Sequence, residues 1–255
     1  MAADTAAATE DAVLGGRLRL RQPRKGHRVG HDAILLAAAC AVRAGEHAVD
    51  LGAGVGAAGL ALARRVAGVT VTLVEIDPML AQFATENAAL NGLADRVRAV
   101  CLDATAPAAA FAAAGLASGT VGHVLMNPPF NAPHNPSPDR RRRLAHHAPH
   151  DDTLTAWLRT AARLLRPTGA VTLIWRADGL DSVLGALAGF GGTAVLPIHG
   201  RPEAPAIRVL VRAAKTSRAP LVLLPGLCLA DEAGAPSAPA EAVLRDGAAL
   251  PLATA

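Results

Sequence analysis

Residues 48–63, AVDLGAGVGAAGLALA, run from a short apolar stretch through closely spaced glycines into a segment rich in alanine and leucine. Glycine allows the backbone to turn tightly and to approach a ligand closely. We therefore interpret this stretch as a strand that ends near Asp50, a loop and a helix. The next apolar stretch, VTLVE (71–75), ends in the acid Glu75. In parallel sheets, ligands bind beyond the carboxyl ends of the strands, where an acid on the second strand accepts hydrogen bonds from ribose hydroxyls.

The spacing of the glycines leaves two classes of cofactor open. Gly54, Gly56 and Gly59 also fit the pattern G-x-G-x-x-G, which is followed in dinucleotide-binding proteins by an acid about 20 residues later. A nicotinamide-dependent dehydrogenase is therefore an alternative. A glycine loop that binds nothing is disfavoured, because a strand, a loop, a helix and a later acid all coincide.

Strands and helices alternate along the rest of the chain. We expect the strands at residues 47–51, 69–75, 96–102, 121–126, 170–175, 193–198 and 206–213. This alternation predicts an α/β, Rossmann-like fold with a mostly parallel, seven-stranded sheet and helices on both faces. The last two strands leave no room for a helix between them, so we expect an antiparallel pair at the edge of the sheet.

The composition favours one folded domain. Of the 255 residues, 51% are hydrophobic, which is enough for a large core. We expect a single domain over residues 14–230, and mobile tails over 1–13 and 231–255, which are rich in small residues and weakly patterned. There is no apolar run of about 18 residues and the N-terminus is acidic, so neither a membrane span nor a secretory signal is expected. The three cysteines lie far apart, and we expect a cytoplasmic protein.

A second motif, VLMNPPFN (124–131), ends the fourth expected strand, at the same edge as the glycine loop. Its prolines stiffen the turn. The carbonyl of Pro128 and the side-chain oxygen of Asn127 offer two acceptors, which suit the two protons of one planar –NH₂ group. Such hydrogen bonds orient the nitrogen lone pair toward an electrophile, and Phe130 could stack on the ring that carries the amine. The motif therefore predicts group transfer to an exocyclic amine.

Together, these motifs resemble a known family. DLGAGVG (50–56), VEID (74–77), Asp103 and NPPF (127–130) are similar to class I S-adenosylmethionine-dependent N-methyltransferases. The segments QPRKGHRVGHDAILLAAA (22–39) and IHGRPEAPAIRVLVRAAK (198–215) resemble the bacterial tRNA adenine-N6 methyltransferases that modify the adenine next to the anticodon of a valine tRNA. The resemblance covers about residues 17–224. It implies a class I methyltransferase fold, S-adenosylmethionine as cofactor and adenine N6 in tRNA as target.

The resemblance also implies roles for single residues. The methionine part of the cofactor would be lined by Asp50, Gly52, Gly54 and Gly56. Its ribose and adenine would be bound by Glu75 and Asp103. The target amine would be held by Asn127, Pro128, Pro129 and Phe130, with Asn127 also facing the cofactor. Asp32 would lie over the methionine end, although its position equally fits an N-cap of the helix that follows.

The basic residues point to a polyanion as partner. The net charge is +4, and two stretches are strongly basic, RLRLRQPRKGHR (17–28) and RRRR (140–143). We expect RNA contacts from Arg24, Lys25, Arg28, Arg140, Arg141, Arg142 and Arg143, and ordering of the loop 131–150 over the substrate. The histidines of that loop lack a pattern of carboxylates or cysteines, so no metal is expected. Methylation of protein glutamine or of guanine N2 in ribosomal RNA, and a non-catalytic RNA-binding module, are the alternatives.

Overall fold

Short, apolar strands form the centre of the molecule. The computed structural model describes residues 8–24, 28–129 and 150–254. The strands are β1 (Ala8–Val13), β2 (Leu18–Pro23), β3 (His47–Leu51), β4 (Thr70–Glu75), β5 (Val97–Cys101), β6 (Val121–Met126), β7 (Leu165–Arg176), β8 (Phe190–His199), β9 (Ala206–Lys215), β10 (Val222–Leu223) and β11 (Leu227–Cys228). The α-helices are α1 (His31–Ala39), α2 (Ala57–Arg65), α3 (Pro78–Leu90), α4 (Ala108–Ala113), α5 (His150–Leu164), α6 (Leu180–Ala186) and α7 (Ala238–Leu244).

The main sheet has the order β10-β8-β9-β7-β6-β3-β4-β5, and β11 also pairs with β8. Strands β3 to β7 are mutually parallel, whereas β9 runs antiparallel to both of its neighbours, β7 and β8. The prediction of a mostly parallel Rossmann-like sheet is confirmed. The sheet has nine strands because β10 and β11 add two short pairs to β8.

Helices cover both faces of the sheet. On one face, α1, α2 and α3 contribute to one apolar cluster through side chains such as Leu36, Leu60 and Ala84. On the other face, Phe111 of α4 and Leu158 of α5 belong to a second cluster. None of the described helices is long and apolar enough to cross a membrane. Because β3, β4 and β6 are covered on both sides, their residues are nearly all buried, as is usual for parallel strands.

The chain changes direction in the middle of the sheet. From β3 it passes outward to β4 and β5, and it then returns to β6 on the other side of β3. Leu51 at the end of β3 lies opposite Met126 at the end of β6. The loops that follow these two strands therefore start side by side, at the switch point where open α/β sheets bind their ligands.

The described parts of the two expected mobile tails, residues 8–13 and 231–254, form defined structure, and residues 1–7 and 255 lie outside the described residues. Residues Ala8–Val13 form β1, which pairs antiparallel with β2 in a separate hairpin. Near the C-terminus, α7 follows a Ser237 cap, and Leu250 and Leu252 are buried in the same apolar cluster as α1. Both segments are short and lack aromatic residues, so their patterning is weak although their contacts are well defined. The Ser237 cap followed by Pro239 was the sequence signal for α7.

Candidate active site

The carboxyl ends of neighbouring strands bring the candidate residues to one edge of the sheet. Asn127 follows β6, Gly52 follows β3, Glu75 ends β4, and Asp103 lies two residues beyond β5. The register places Leu51 opposite both Met126 and Val74, so Asn127, Gly52 and Glu75 start from adjacent strands. Neighbouring strands lie about 4.8 Å apart, so these residues lie within reach of one small molecule.

The glycine loop is braced by the end of β4. The N–H groups of Gly52 and Ala53 donate to the carbonyl oxygen of Val74 at 2.8 and 3.0 Å. The N–H of Gly54 donates to Oε2 of Glu75 at 2.8 Å, and Oε1 of Glu75 accepts from the N–H of Asp77 at 2.9 Å. Glycines 52, 54 and 56 all have positive φ values, 69°, 57° and 89°, which only glycine adopts without strain. The loop is therefore held in one shape by its own backbone and by Glu75.

Glu75 keeps the capacity to bind a ligand. A carboxylate accepts about four hydrogen bonds, and the amides of Gly54 and Asp77 occupy only part of this capacity. Burial raises the pKa of Glu75, while its hydrogen bonds from the backbone lower it. The carboxylate of Glu75 at the end of β4 can therefore still accept hydrogen bonds from two ribose hydroxyls.

Asp50 lies beneath the loop. Its side chain is buried, and Oδ2 accepts from the N–H of Gly59 in the first turn of α2 at 2.9 Å. The pKa of Asp50 is raised to about 7, mainly because the side chain is buried; the hydrogen bond from Gly59 opposes this rise and the charge of Glu75 adds to it. A side chain at position 59 would overlap Leu73, so glycine there allows α2 to approach the strand and this carboxylate closely. The carboxylate therefore ties the strand before the loop to the helix after it.

Replacement of Asp50 by asparagine is expected to change how stability depends on pH. The raised pKa means that the folded chain holds this proton more tightly than the unfolded chain, whose carboxyl titrates near 3.8. Stability is therefore lost as the pH rises from about 4 to about 7 and is level above that. In the wild-type chain, Asp50 makes the free energy of unfolding decrease between pH 5 and pH 8. In Asp50→Asn this decrease should be smaller by a few kcal/mol, as measured by urea unfolding. An unchanged pH dependence would contradict this assignment.

The side chain of Asn127 has an unusual environment. Its Oδ1 is buried and has no hydrogen-bond partner among the residues that the structure describes. The next residue, Pro128, is buried, and Pro129 is half-buried. Buried polar atoms are nearly always paired, so an unpaired acceptor in a native fold needs an explanation. A donor from a bound ligand supplies one.

Comparison with known proteins identifies the family. The family model "Methyltransferase small domain" matches residues 27–187. The chain belongs to the methyltransferase small domain family. A protein from Tolumonas auensis named tRNA1(Val) (adenine(37)-N6)-methyltransferase is 31% identical over 180 residues, which are 69% of this chain and 70% of that protein. A protein of the same name from Porphyromonas gingivalis strain W83 is 32% identical over 165 residues, 61% of each chain, so the match spans less than two thirds of that relative.

Solved structures agree with this assignment. A crystal structure from Agrobacterium tumefaciens, described as a predicted O-methyltransferase, has 32% sequence identity and a TM-score of 0.73, and covers 86% of this methyltransferase and 98% of that chain. TrmN from Thermus thermophilus has 22% identity and a TM-score of 0.51, and covers 72% of this chain and 47% of its own, which shows the fold alone. The methyl donor is S-adenosylmethionine, so the predicted cofactor is confirmed and the dehydrogenase alternative is not supported.

Asp32 does not occupy the N-cap position of α1. Gly30 is the N-cap of α1, and no side chain caps this helix. Asp32 lies in the first turn, and its Oδ2 accepts from Nε of Arg208 on β9 at 3.0 Å. The N-cap alternative is therefore wrong. The assignment of Asp32 to the methionine end stays a prediction, and Arg208 is a neighbour of this carboxylate that the sequence did not indicate.

The remaining predicted residues are placed only in part. Asp103 is exposed, and its Oδ1 accepts from the N–H and the hydroxyl of Thr105 at 2.7 and 2.8 Å, so Oδ2 is the candidate acceptor for the cofactor's adenine amine. Arg24 is exposed, and Arg28 pairs with Asp11 of β1 at 2.6 Å. The following predicted residues lie outside the described residues: Lys25, Phe130, Arg140, Arg141, Arg142 and Arg143. Within the described ranges, no group of three His, Cys, Asp or Glu residues could hold a metal ion.

Trp157 of α5 contacts the glycine loop, which the sequence did not predict. A side chain at position 52 would overlap the six-membered ring of Trp157. Trp157 is half-buried against the second apolar cluster. Its position on an apolar stripe of the helix is typical of a core residue, but nothing in the sequence indicates that its ring lies against Gly52. The ring supports the loop from the side of α5.

Gly52→Ala is therefore expected to destabilise the methyltransferase. Positive φ costs about 1–2 kcal/mol in a non-glycine residue, and overlap with the ring adds about 1–3 kcal/mol. The overlap should be relieved in a Trp157→Leu background, so Gly52→Ala should cost less there than in the wild-type chain. Urea unfolding of the two single variants and the double variant measures this difference. An equal cost in both backgrounds would show that the ring does not constrain the loop.

Proposed function

We propose that this methyltransferase acts on an exocyclic amine, and that the amine is N6 of an adenine in tRNA. The observation that carries the proposal is the buried Oδ1 of Asn127 beside the glycine loop, which has no hydrogen-bond partner within residues 8–24, 28–129 and 150–254. An –NH₂ group supplies two donors, and the second acceptor in the proposal is the carbonyl of Pro128. The names of the bacterial relatives, which specify adenine N6 of a tRNA, support the same target.

An amine explains the acceptor better than a hydroxyl does. A hydroxyl target has one proton, which its deprotonation removes, so a buried acceptor would gain no lasting partner. The adenine amine keeps two protons, and its lone pair is delocalised into the ring. Two acceptors held by a rigid turn orient both N–H bonds, which favours a nitrogen whose lone pair points at the methyl carbon. S-adenosylmethionine supplies a methyl group on a positively charged sulfur. As the N–C bond forms, the S–C bond breaks, and the amine afterwards releases one proton to water.

The target base has to leave its stack. A paired adenine engages its amine with the opposite base and cannot present it to a turn at the edge of a sheet. We therefore propose an unpaired or flipped-out adenine, with its phosphates near the segment around Arg24 and Arg28 and near the arginines at 140–143. These residues stay predictions, and so does a cytoplasmic location.

The test is transfer of labelled methyl groups to total tRNA from a strain that lacks this protein. We expect N6-methyladenosine in one tRNA species after nucleoside analysis. Parallel reactions contain ribosomal RNA and glutamine-bearing protein, which are the two other amine-containing substrates. Label in ribosomal RNA or protein alone would overturn the tRNA assignment and keep the amine. Bound cofactor without transfer to any of the three would favour the non-catalytic alternative.

A further inference from the structure

Asn87 of α3 and Asn91, the C-cap of the same helix, bind the backbone of the N-terminal hairpin as a neighbouring strand would. The Oδ1 of Asn87 accepts from the N–H of Arg21 at 2.7 Å, and its Nδ2 donates to the carbonyl oxygen of Arg21 at 3.0 Å. Four residues later, Asn91 repeats the pattern on Arg19, with distances of 2.9 and 2.7 Å. Residues four apart share one side of a helix, and alternate residues share one side of a strand, so the two periods match.

The two asparagines differ in their third contact. The Nδ2 of Asn87 also donates to the carbonyl oxygen of Val55 in the glycine loop at 3.0 Å. The Nδ2 of Asn91 donates instead to the carbonyl oxygen of Asn87, within its own helix, at 2.7 Å. Asn87 is completely buried, with 0% exposure. Only Asn87 therefore joins the hairpin to the loop.

The hydrogen bond from Asn87 acts on a part of the glycine loop whose peptide groups could otherwise adopt several orientations. It lies between Gly54 and Gly56, whose φ values are 57° and 89°. Glycine has few steric barriers, so the peptide groups on either side of Val55 have little intrinsic preference for one orientation. The amide of Asn87 fixes the carbonyl of Val55 and hence the peptide that leads into α2.

Further hydrogen bonds connect β2 to the segment that precedes α1. Gln22, the residue after Arg21, is 2% exposed. Its Oε1 accepts from the N–H of Val29 at 3.0 Å, and its Nε2 donates to Asp11 of β1 at 2.8 Å. Val29 leads directly into α1, which carries Asp32. A chain of hydrogen bonds thus runs from the glycine loop, through β2, to the segment that approaches the same edge of the sheet.

We propose that Asn87 is a positioning residue for the cofactor. It sets the orientation of the Val55 peptide and the position of β2 together, although it does not itself touch the cofactor. The inference rests on the assignment of the glycine loop as the cofactor site, and it does not depend on which amine is methylated.

Asn91 provides the matched control. Asn91→Ala removes two equivalent hairpin contacts, on Arg19 instead of Arg21, and leaves the hydrogen bond to Val55 in place. Both variants should lower the midpoint of thermal unfolding. Only Asn87→Ala should weaken binding of S-adenosylhomocysteine, by about tenfold in isothermal titration calorimetry, because one fixed hydrogen bond at the loop is lost. In steady state, its KM for S-adenosylmethionine should rise while kcat stays within about twofold of wild type, since uniform binding alone is lost.

Asn87→Asp tests the same point with a side chain of the same size. It keeps the acceptor for the N–H of Arg21 and removes the donor that Asn87 shares between the carbonyl oxygens of Arg21 and Val55. Its unfolding midpoint is measured alongside, because a carboxylate at a buried site lowers stability. It should weaken S-adenosylhomocysteine binding at least as much as Asn87→Ala. Equal affinities in the Asn87 and Asn91 variants, or a fall in kcat with an unchanged KM, would overturn the proposal. Because binding is measured without RNA, a wrong tRNA assignment would leave this result unchanged.

Discussion

Asn127→Ala is expected to lower kcat for methyl transfer by about 10²–10³-fold, the range found when one preorganised hydrogen-bonding group is removed from a reacting centre. The buried Oδ1 of Asn127 is the acceptor that the proposed chemistry requires, and its removal leaves the target amine without one of its two fixed contacts. The substitution leaves the glycine loop and Glu75 unchanged, so the Kd for S-adenosylhomocysteine should stay within about threefold of wild type. A threefold change in Kd corresponds to less free energy than the loss of one hydrogen bond.

Stability separates this result from simple misfolding. Since Oδ1 has no partner among the described residues, its loss breaks no hydrogen bond that the structure shows, and the unfolding midpoint of Asn127→Ala should equal or exceed that of wild type. Asn127→Asp keeps both the size and the acceptors, so it should retain more activity than Asn127→Ala. Full activity in Asn127→Ala would remove Asn127 from the proposed target-amine site.

Removal of residues 231–255 is expected to have the largest effect on stability. This segment buries Val243, Leu250 and Leu252 in the cluster that contains α1, and the N–H of Leu250 donates to the carbonyl oxygen of Ala38 at 2.9 Å. A fully buried Val or Leu side chain contributes about 1.5–3 kcal/mol, part of which offsets the entropy lost on ordering the segment. We expect a loss of about 3–6 kcal/mol, a large share of the 5–15 kcal/mol that is typical of a whole domain.

Urea unfolding measures this loss, and a shorter deletion is the control. A chain that ends at Ala253 keeps all three buried side chains and should unfold at the wild-type urea concentration. Leu252→Ala should account for about 2–5 kcal/mol by itself, because Leu252 is completely buried. If the chain without residues 231–255 unfolds at the wild-type urea concentration, the segment does not stabilise the fold.

The features that the sequence predicted correctly are those that local chemistry determines. The glycine loop can be recognised in the sequence because only glycine adopts the positive φ values at positions 52, 54 and 56 without strain. The order of strands and helices follows from the spacing of apolar residues along the chain. Parallel strands place their carboxyl ends at one edge, which brings Asn127 beside Gly52.

The features that the sequence missed depend on contacts between distant segments. Asp32 and Arg208 are 176 positions apart, and neither has a local reason to pair with the other. The contact of Trp157 with Gly52 depends on where α5 lies against the sheet. The N-terminal hairpin is short and polar on one side. Its attachment depends on the amides of Asn87 in α3 and of Asn91 at the end of that helix, which carry no strand signal in the sequence.

The buried side-chain oxygen of Asn127 has a further consequence for turnover. Under the proposed function, the substrate arrives with two N–H bonds on the target nitrogen, and the product leaves with one. The methylated base can engage only one of the two acceptors, and its new methyl group has to occupy the space beside the other. The turn that binds the substrate therefore binds the methylated product less tightly. This difference favours rapid release and limits the reaction to a single methyl group per adenine.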